Sequence, residues 1–203
     1  MRLINALANG IIDKRLMIGL LLASIMIVAF YLRIMPISYG IYLYEYDPYF
    51  QYYLTKYLVE NGPFSWFQLT KENVRNFWYP IGRDVYKTEY PGVAYIGYVT
   101  YMLVRSLFYW VPQDQLLLFT CVILPPIMGV LEVLGVFLIC RELLDDRAGL
   151  IAALVQAFLP AALDRTIAGF YTKLGFGVTI FLFAAYFLLK MSKSGRIGYA
   201  VIT

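Results

Sequence analysis

Four apolar runs constrain this chain more than any other feature of its sequence, because each is long enough, or nearly so, to cross a lipid bilayer. They lie at residues 16–32, 116–140, 148–163 and 175–189. A transmembrane helix needs about 20 apolar residues, so the third and fourth runs need flanking residues to complete them. The chain is 61% hydrophobic and only 15% charged, which is too much apolar surface for a soluble domain to bury. The sequence therefore predicts an all-α polytopic membrane protein.

The placement of charge predicts whether a fifth apolar run, at residues 91–111, also crosses. If it lies at the interface, the basic residues that flank the four spans share one face, which is the cytoplasm by the positive-inside rule. These residues are Arg2, Lys14, Arg15, Arg141, Arg147, Lys190, Lys193 and Arg196. If it crosses, the loop at 112–115, which has no Lys or Arg, becomes cytoplasmic instead. The first arrangement agrees better with the rule, and residues 91–111 are predicted to form an interfacial or re-entrant helix.

The predicted plan is a single transmembrane domain over residues 1–203, with about four spans and the start of a fifth. Its segments in chain order are a cytoplasmic tail (1–15), a first span (16–34), a large external loop with interfacial helices (35–115), a second span (116–140), a third span (148–163), a second external loop (164–174), a fourth span (175–190) and the start of a fifth (197–203). The long first run has no small-residue cleavage site after it, which favours an uncleaved signal anchor. Both external loops lie on one side of the membrane and can meet there.

Residue types that are absent or rare exclude several kinds of site. The chain has no histidine, so a metal would need oxygen ligands, as Mg2+ or Mn2+ does. Cys121 and Cys140 fall in one apolar run, and on one helix they would lie about 28 Å apart, too far for a disulfide. There is no basic stripe of the kind that binding to nucleic acid requires. The expected partner is therefore membrane lipid and not a nucleic acid.

Asp47-Pro48 stands in a tyrosine-rich stretch, YLYEYDPYFQYYLTKY, just after the first apolar run. Asp is a good helix N-cap and Pro suits the first helical position, so a cap on a short amphipathic helix explains the pair. Tyr favours the membrane–water interface, which is consistent with a helix lying there. On the pattern alone, Glu45 is a solvated charge ahead of that cap.

Other charged residues have both a functional and a structural explanation. Arg83 lies in an external loop rich in turn residues and supplies charge there. Arg83, Lys173 and Arg165 are the candidate ligands for a substrate phosphate. Arg165 can contact a phosphate, as a guanidinium does well, or snorkel at a helix end. Glu132 lies inside the second span, where a carboxylate is costly and marks a functional candidate. The alternative for Glu132 is a structural partner, such as a Lys or Tyr on a neighbouring helix, or a protonated carboxyl group.

Taken in order, these pieces resemble one family. An N-terminal anchor is followed by EYDPYFQYYLTKYLVENG, by WYPIGRDV and YPG, and by CRELLDDRAGLIAALVQAFLPAALDRTIAGFY. The set resembles the N-terminal part of the catalytic subunit of oligosaccharyltransferase in its archaeal form. Such enzymes move an oligosaccharide from a polyprenyl (pyro)phosphate carrier onto the Asn of an Asn-x-Ser/Thr sequon. The family's topology, with a large first external loop and a second loop facing it, agrees with the charge placement.

The resemblance implies a metal site that is degenerate in this chain. It makes Asp47 the acidic residue of the first loop, which helps to bind Mg2+ or Mn2+ and contributes to catalysis. The family's acidic pair in the second loop falls at Thr172 and Leu174, and both acids are absent. Lys173, between them, is then expected to form an ion pair with Asp47 or to snorkel at a helix end. Glu45 and Asp164 are the alternative carboxylates that could reach the cation.

Three functions follow as alternatives. The first is the N-terminal part of an oligosaccharyltransferase-like enzyme, inactive alone and completed by a separate C-terminal half or by other transferase subunits. The second is a non-catalytic paralogue that binds the lipid carrier or assists assembly. The third is a truncated remnant. Protein O-mannosyltransferases share the architecture, but WYPIGRDV and AGFY favour the oligosaccharyltransferase branch. The predicted localisation is the membrane, with a cytoplasmic N-terminus and both loops on the outer face.

Overall fold

A computed structural model describes residues 13–194, and within that range the chain forms α-helices, short 3-10 helices and loops. The α-helices are α1 (Lys14–Ile34), α2 (Tyr46–Asn61), α3 (Val85–Thr88), α4 (Gly92–Leu107), α5 (Gln113–Leu143), α6 (Asp146–Phe158), α7 (Pro160–Thr166) and α8 (Lys173–Ser194). The 3-10 helices are Met35–Tyr39 and Pro63–Gln68. The predicted all-helical class is confirmed for this part of the chain.

Among residues 13–194, three stretches are long and apolar enough to cross a membrane: Lys14–Tyr39, which contains α1, and the helices α5 and α8. A fourth crossing exists if α6 and α7, which are bent by 61° at a short break, form one span. Pro160 begins α7, and a proline there cannot donate the hydrogen bond that would continue α6. The predicted start of a fifth span at 197–203 lies outside the described residues, and so do residues 1–12 of the predicted N-terminal tail.

The interfacial helix predicted at 91–111 is α4, which has 16 residues. It is shorter than the three candidate spans, and it turns Val93, Ala94, Gly97 and Tyr101 inward. A helix of about 20 residues is needed to cross the hydrocarbon core, so the length of α4 agrees with a helix that does not span.

Helix α5 carries both cysteines, and both are free, as the sequence predicts. Pro125 and Pro126 lie inside this 31-residue helix. The chain divides into two compact units, and the division crosses α5 between Met128 and Gly129, directly after the two prolines. A proline has no N–H, so Pro125 and Pro126 remove the helical hydrogen bonds to the carbonyls of Cys121 and Val122.

The described part of the first unit comprises residues 13–33, 129–163 and 178–194. Small side chains are prominent in its core, which contains Ala29, Val133, Phe137, Ala153 and Ala157. Small residues let helix backbones approach closely, and this is the main source of packing between helices in lipid. At one end of the unit, basic and acidic side chains form ion pairs: Lys14–Asp146, Arg141–Asp146 and Lys190–Glu142.

The second unit comprises residues 34–128 and 164–177, and it contains the predicted external segments. Helix α2 contributes Phe50, Leu54 and Leu58 to one buried cluster, which also contains Trp66 and Val85. A second cluster joins α4 and the first part of α5 to the loop before α8; its buried members include Val93, Tyr101, Leu117, Cys121, Ala168 and Tyr171. Helix α2 is therefore held largely by aromatic and aliphatic packing.

The prediction that Asp47 caps α2 is wrong. The helix begins at Tyr46, its N-cap is Glu45, and no side chain caps it with a hydrogen bond. Glu45 has a φ of 63°, a conformation that costs a non-glycine residue about 1–3 kcal/mol. The Tyr46 ring packs edge-on against Phe77 and Trp78 at 5.7 and 5.9 Å, which holds this first turn in place. Asp47 lies inside the first turn, where a negative charge still suits the helix dipole.

Candidate functional site

The loop before α8 is fastened to the first external segment by Tyr171. This side chain is fully buried, its hydroxyl donates to the Val93 carbonyl at 2.8 Å, and it shares a 3.1 Å hydrogen bond with Thr55 Oγ1. Burial raises the pKa of Tyr171 well above its usual value, so the hydroxyl stays neutral and remains a donor. A Cβ at Gly97 would strike this hydroxyl, so the glycine on α4 makes room for it.

Gly169 fastens the same loop by its backbone. Its N–H donates to the Val122 carbonyl at 3.0 Å, and its carbonyl accepts from Tyr44 N at 3.2 Å. Its φ of +88° belongs to the left-handed region that favours glycine. Together with Tyr171, Gly169 brings the two predicted external segments together inside the second unit. The expectation that these segments meet is confirmed.

Where the segments meet, three polar side chains surround one buried carboxylate, that of Glu89. Lys173 Nζ lies 2.7 Å from Glu89 Oε1, and Arg83 Nη2 lies 3.3 Å from Oε2. Gln51 Nε2 donates to Oε1 at 3.3 Å. The Glu89 side chain is only 1% exposed, whereas those of Lys173 and Arg83 are 43% and 30% exposed. We call Glu89, Lys173, Arg83 and Gln51 the Glu89 cluster.

Arg83 is fixed in the cluster by contacts on several sides. Its Nε donates to Thr88 Oγ1 at 2.6 Å, and Nη2 donates to the Thr88 carbonyl. Its guanidinium carbon lies 5.1 Å from the centre of the Trp78 ring, a cation–π contact. The Nη1 group has no hydrogen-bond partner among residues 13–194, so part of a rigidly held cation remains available.

Asp47 lies next to the cluster but is not part of it. It precedes Gln51 by one turn on α2, which is about 6 Å along the helix axis. Its side chain is exposed and forms neither a hydrogen bond nor an ion pair within the described range. The hypothesis that Lys173 pairs with Asp47 is wrong, because the ammonium pairs with Glu89 instead. The sequence could not show that partner, which is 84 residues away along the chain.

The residues at this site do not fit Mg2+ or Mn2+. Such a cation takes about six oxygen donors, with carboxylates to balance its charge. Thr172 offers a neutral hydroxyl, and Leu174 is apolar and 54% exposed. Glu89, the buried carboxylate nearby, already faces two cations. Residues 13–194 contain no group of three or more His, Cys, Asp or Glu side chains that could hold a metal.

The other candidates from the first and second loops lie in simpler settings. Arg165 pairs with Asp164 at 3.4 Å and stacks its guanidinium over Phe170 at 5.1 Å. Asp164, which is 65% exposed, therefore has Arg165 as its partner and not the metal cation that the resemblance implies. Glu45 is exposed at the start of α2. Arg165 as a phosphate ligand stays a prediction.

Glu132 belongs to the first unit and has structural partners there. It is 2% exposed, and Gln156 Nε2 donates to its Oε2 at 3.2 Å. Arg33, which is completely buried, is attracted to it and donates to the carbonyls of Ala29 and Ala157 at 3.0 and 3.2 Å. The structural explanation of Glu132 is supported, although its partners are Gln and Arg and not the expected Lys or Tyr.

Several of these residues were missed from the sequence: Glu89, Gln51, Arg33 and Gln156. Each looks like an ordinary loop or helix residue until the fold gives it a partner. Arg33 alone carries a signal, because a basic residue one position before the end of an apolar helix is expensive in lipid without a partner.

Replacing Glu132 with Gln is expected to lower the free energy of unfolding by about 1–2 kcal/mol, because the amide can still accept from Gln156 but removes the charge that faces Arg33. The measurement is the midpoint of thermal unfolding in detergent. Glu142→Gln, on the same helix, is the control: its carboxylate is more exposed and its ion pair with Lys190 should contribute about 1 kcal/mol or less. Equal losses in the two variants would contradict a buried polar network at Glu132.

Comparison with known proteins identifies the family of the chain. The family model described as oligosaccharyl transferase STT3, N-terminal, matches residues 16–203. The dolichyl-diphosphooligosaccharide–protein glycosyltransferase subunit STT3B of Arabidopsis thaliana is 30% identical over 183 residues, which cover 89% of this chain and 24% of that protein. The subunit stt-3 of Caenorhabditis elegans is 31% identical over 158 residues, covering 78% of this chain and 20% of that protein.

Solved structures show the same fold. The crystal structure of the Archaeoglobus fulgidus oligosaccharyltransferase in its apo form matches with a TM-score of 0.68 and 25% identity, over 87% of this chain and 20% of that one. The archaeal oligosaccharyltransferase AglB from the same organism, in complex with an inhibitory peptide and a dolichol-phosphate, matches with a TM-score of 0.68 and 24% identity. The chain thus spans 20–24% of the length of these relatives and of the apo structure.

Proposed function

This chain belongs to the oligosaccharyltransferase STT3 family, and we propose from that premise that it forms the carrier-binding membrane part of an oligosaccharyltransferase-like glycosyltransferase. The proposed ligand is an oligosaccharide linked to a polyprenyl (pyro)phosphate, destined for the Asn of an Asn-x-Ser/Thr sequon. The match of the family model over residues 16–203 carries the proposal. The matching family is the oligosaccharyltransferase branch and not that of the protein O-mannosyltransferases.

The names of the relatives support the class of donor. They are dolichyl-diphosphooligosaccharide–protein glycosyltransferase subunits, and dolichyl diphosphate is a polyprenyl pyrophosphate. In our proposal both predicted external segments face the outer side of an integral membrane protein whose N-terminus is cytoplasmic. Asp47 and the Glu89 cluster then lie where the phosphate end of such a carrier reaches the membrane surface.

We also propose that this chain does not transfer the oligosaccharide on its own. Family members depend on a divalent metal, and the donor set of this chain does not fit one. Asp47 remains as the acid of the first loop, and we propose that it acts in catalysis only together with a C-terminal half or other transferase subunits.

A second candidate is a non-catalytic subunit that binds the carrier or assists assembly. One observation favours it: the Lys173–Glu89 ion pair, 2.7 Å long, stands where the family has its second acidic pair. A chain that had kept the transfer chemistry would have a reason to keep those acids. The two candidates differ in whether an added C-terminal partner restores transfer.

Binding and transfer can be measured separately on the chain in phosphatidylcholine nanodiscs. We expect farnesyl diphosphate to bind more tightly than farnesol by microscale thermophoresis, and no transfer of a polyprenyl-diphosphate-linked oligosaccharide to a fluorescent sequon peptide in a gel-shift assay, with or without Mn2+. Equal binding of the two farnesyl probes would refute a carrier site. Transfer by the chain alone that Asp47→Ala abolishes would refute the claim that it is inactive by itself.

A further inference from the structure

We propose that the Glu89 cluster binds the phosphate of a lipid carrier without a divalent cation, with Lys173 and Arg83 supplying the positive charge that a metal would otherwise supply. This inference rests on the proposed function and deepens it, because it concerns the same site. It starts from a disagreement: the family uses a metal, whereas the side chains at the corresponding positions of this chain are Thr172 and Leu174.

The charge at the cluster has the sign that a phosphate requires. Two cations, Lys173 and Arg83, face one carboxylate, Glu89, and this leaves one net positive charge. Glu89 is almost completely buried, whereas both cations are partly exposed. The surplus positive charge is thus presented to the solvent side, and a phosphate can approach it without meeting the carboxylate.

The donors are held before any ligand arrives. Lys173 has three N–H donors and uses one on Glu89 at 2.7 Å, which fixes the ammonium and leaves two free. Arg83 is fixed by Thr88 and Trp78 and keeps its Nη1 group available. The Nη1 group carries two N–H donors that can reach phosphate oxygens, and a donor that is already fixed loses little freedom when it binds.

Two further features next to Lys173 favour an anion. Lys173 is the first residue of the 22-residue helix α8, whose N-terminus carries a partial positive charge. The hydroxyl of Thr172, directly before it, is buried and has no hydrogen-bond partner within residues 13–194. A phosphate oxygen that reaches this hydroxyl would satisfy it. A divalent metal ion, in contrast, would be a third cation beside a single buried carboxylate and would add two more positive charges.

The test compares binding with and without metal in the full chain, again in phosphatidylcholine nanodiscs with farnesyl diphosphate as the probe. We expect the dissociation constant to be the same within twofold in EDTA and in Mn2+. Lys173→Met should weaken binding at least tenfold in both buffers, Lys173→Arg should restore most of it, and Thr172→Val should weaken it severalfold. Lys56→Met is the control for loss of one lysine and should leave binding unchanged. Lys56 lies on α2, about 14 Å along the helix from Asp47, and pairs with Asp114 at the start of α5.

The outcomes separate this inference from the function on which it rests. Binding of farnesyl diphosphate that requires Mn2+ would overturn the inference and leave the carrier site standing. A failure to distinguish farnesyl diphosphate from farnesol in either buffer would overturn both. If dioleoyl phosphatidic acid displaces farnesyl diphosphate at an equal concentration, the cluster is a general site for lipid headgroups. That result would also overturn the inference.

Direct titration of Mn2+ gives a readout that does not depend on a lipid. The electron paramagnetic resonance signal of free Mn2+ should be unchanged by the wild-type chain. Restoring the acids in Thr172→Asp/Lys173→Asn/Leu174→Glu should reduce that signal and make binding of farnesyl diphosphate at least fivefold tighter in Mn2+ than in EDTA. If the wild-type chain reduces the signal of free Mn2+, and Lys173→Met reduces it by the same amount, the proposal is contradicted.

Discussion

Replacing Gly169 with Ala is expected to lower the midpoint of thermal unfolding by about 5–15 °C, which corresponds to about 2–5 kcal/mol in a chain of this size. Two causes add together. A φ of +88° is strained for any residue with a Cβ, which costs about 1–2 kcal/mol. The new Cβ would also lie 2.8 Å from Tyr44 Cδ2 and closer still to the Tyr42 carbonyl oxygen, and such overpacking costs about 1–3 kcal/mol.

Gly62→Ala is a matched control for this substitution. Gly62 has almost the same φ, +89°, but nothing lies within 4 Å of the position a Cβ would take. It should therefore show the cost of backbone strain without the close contact, about 1–3 kcal/mol at its φ of 89° and ψ of 164°. If the two variants lose the same stability, the close packing of Gly169 against the Tyr42–Tyr44 segment contributes nothing, and the idea that this glycine fastens the two external segments is wrong.

Replacing Glu89 with Leu is expected to lower the free energy of unfolding by about 3 kcal/mol, or the midpoint by about 6–12 °C. The change leaves Lys173 and Arg83 without the carboxylate that lies between them, and it leaves the amide of the buried Gln51 without an acceptor. The loss is at the low end for a broken buried pair, because both cations keep part of their surface in water. Glu72→Leu, at an exposed glutamate of the same segment, is the control and should stay within about 0.5 kcal/mol of the wild type.

A double-mutant cycle shows how much of this effect is due to charge. With Glu89→Leu in place, removing the ammonium by Lys173→Met should recover about 1 kcal/mol, because the repulsion between Lys173 and Arg83 is relieved. In the wild-type background the same change should cost up to about 1 kcal/mol, since Lys173 is partly exposed. The cycle is measured by chemical or thermal unfolding in detergent. A cost of Lys173→Met that is independent of Glu89 would mean that the ion pair does not stabilise the fold.

The large-scale plan of this protein was predictable because it depends on local sequence. Apolar runs of a given length form helices that can cross a membrane, and the structure has α1, α5 and α8 where three of those runs lie. Residues 91–111 were predicted as a helix that does not span, and α4 is short. The ordered motifs were enough to predict the family. The third span was predicted less well, because the break before Pro160 divides it into α6 and α7.

The start of α2 shows where prediction from local pattern ends. Asp-Pro has the pattern of a cap and a first helical residue, yet the helix begins at Tyr46, which packs against Phe77 and Trp78 from a distant part of the loop. The preference of Asp for a cap is worth about 1 kcal/mol, and aromatic packing of this extent can outweigh it.

The sequence by itself determined that the chain has helices able to span a membrane and that it belongs to its family. The resemblance predicted that the family's second acidic pair falls at Thr172 and Leu174, which are both uncharged. These conclusions depend on the chemistry of single residues and on periodicity along the chain. Only the tertiary structure decided what Lys173 faces. The partner is Glu89 and not Asp47, because the hydrogen bonds of Tyr171 and Gly169 fix the position of the loop, and ion pairs depend on distances that no local pattern contains.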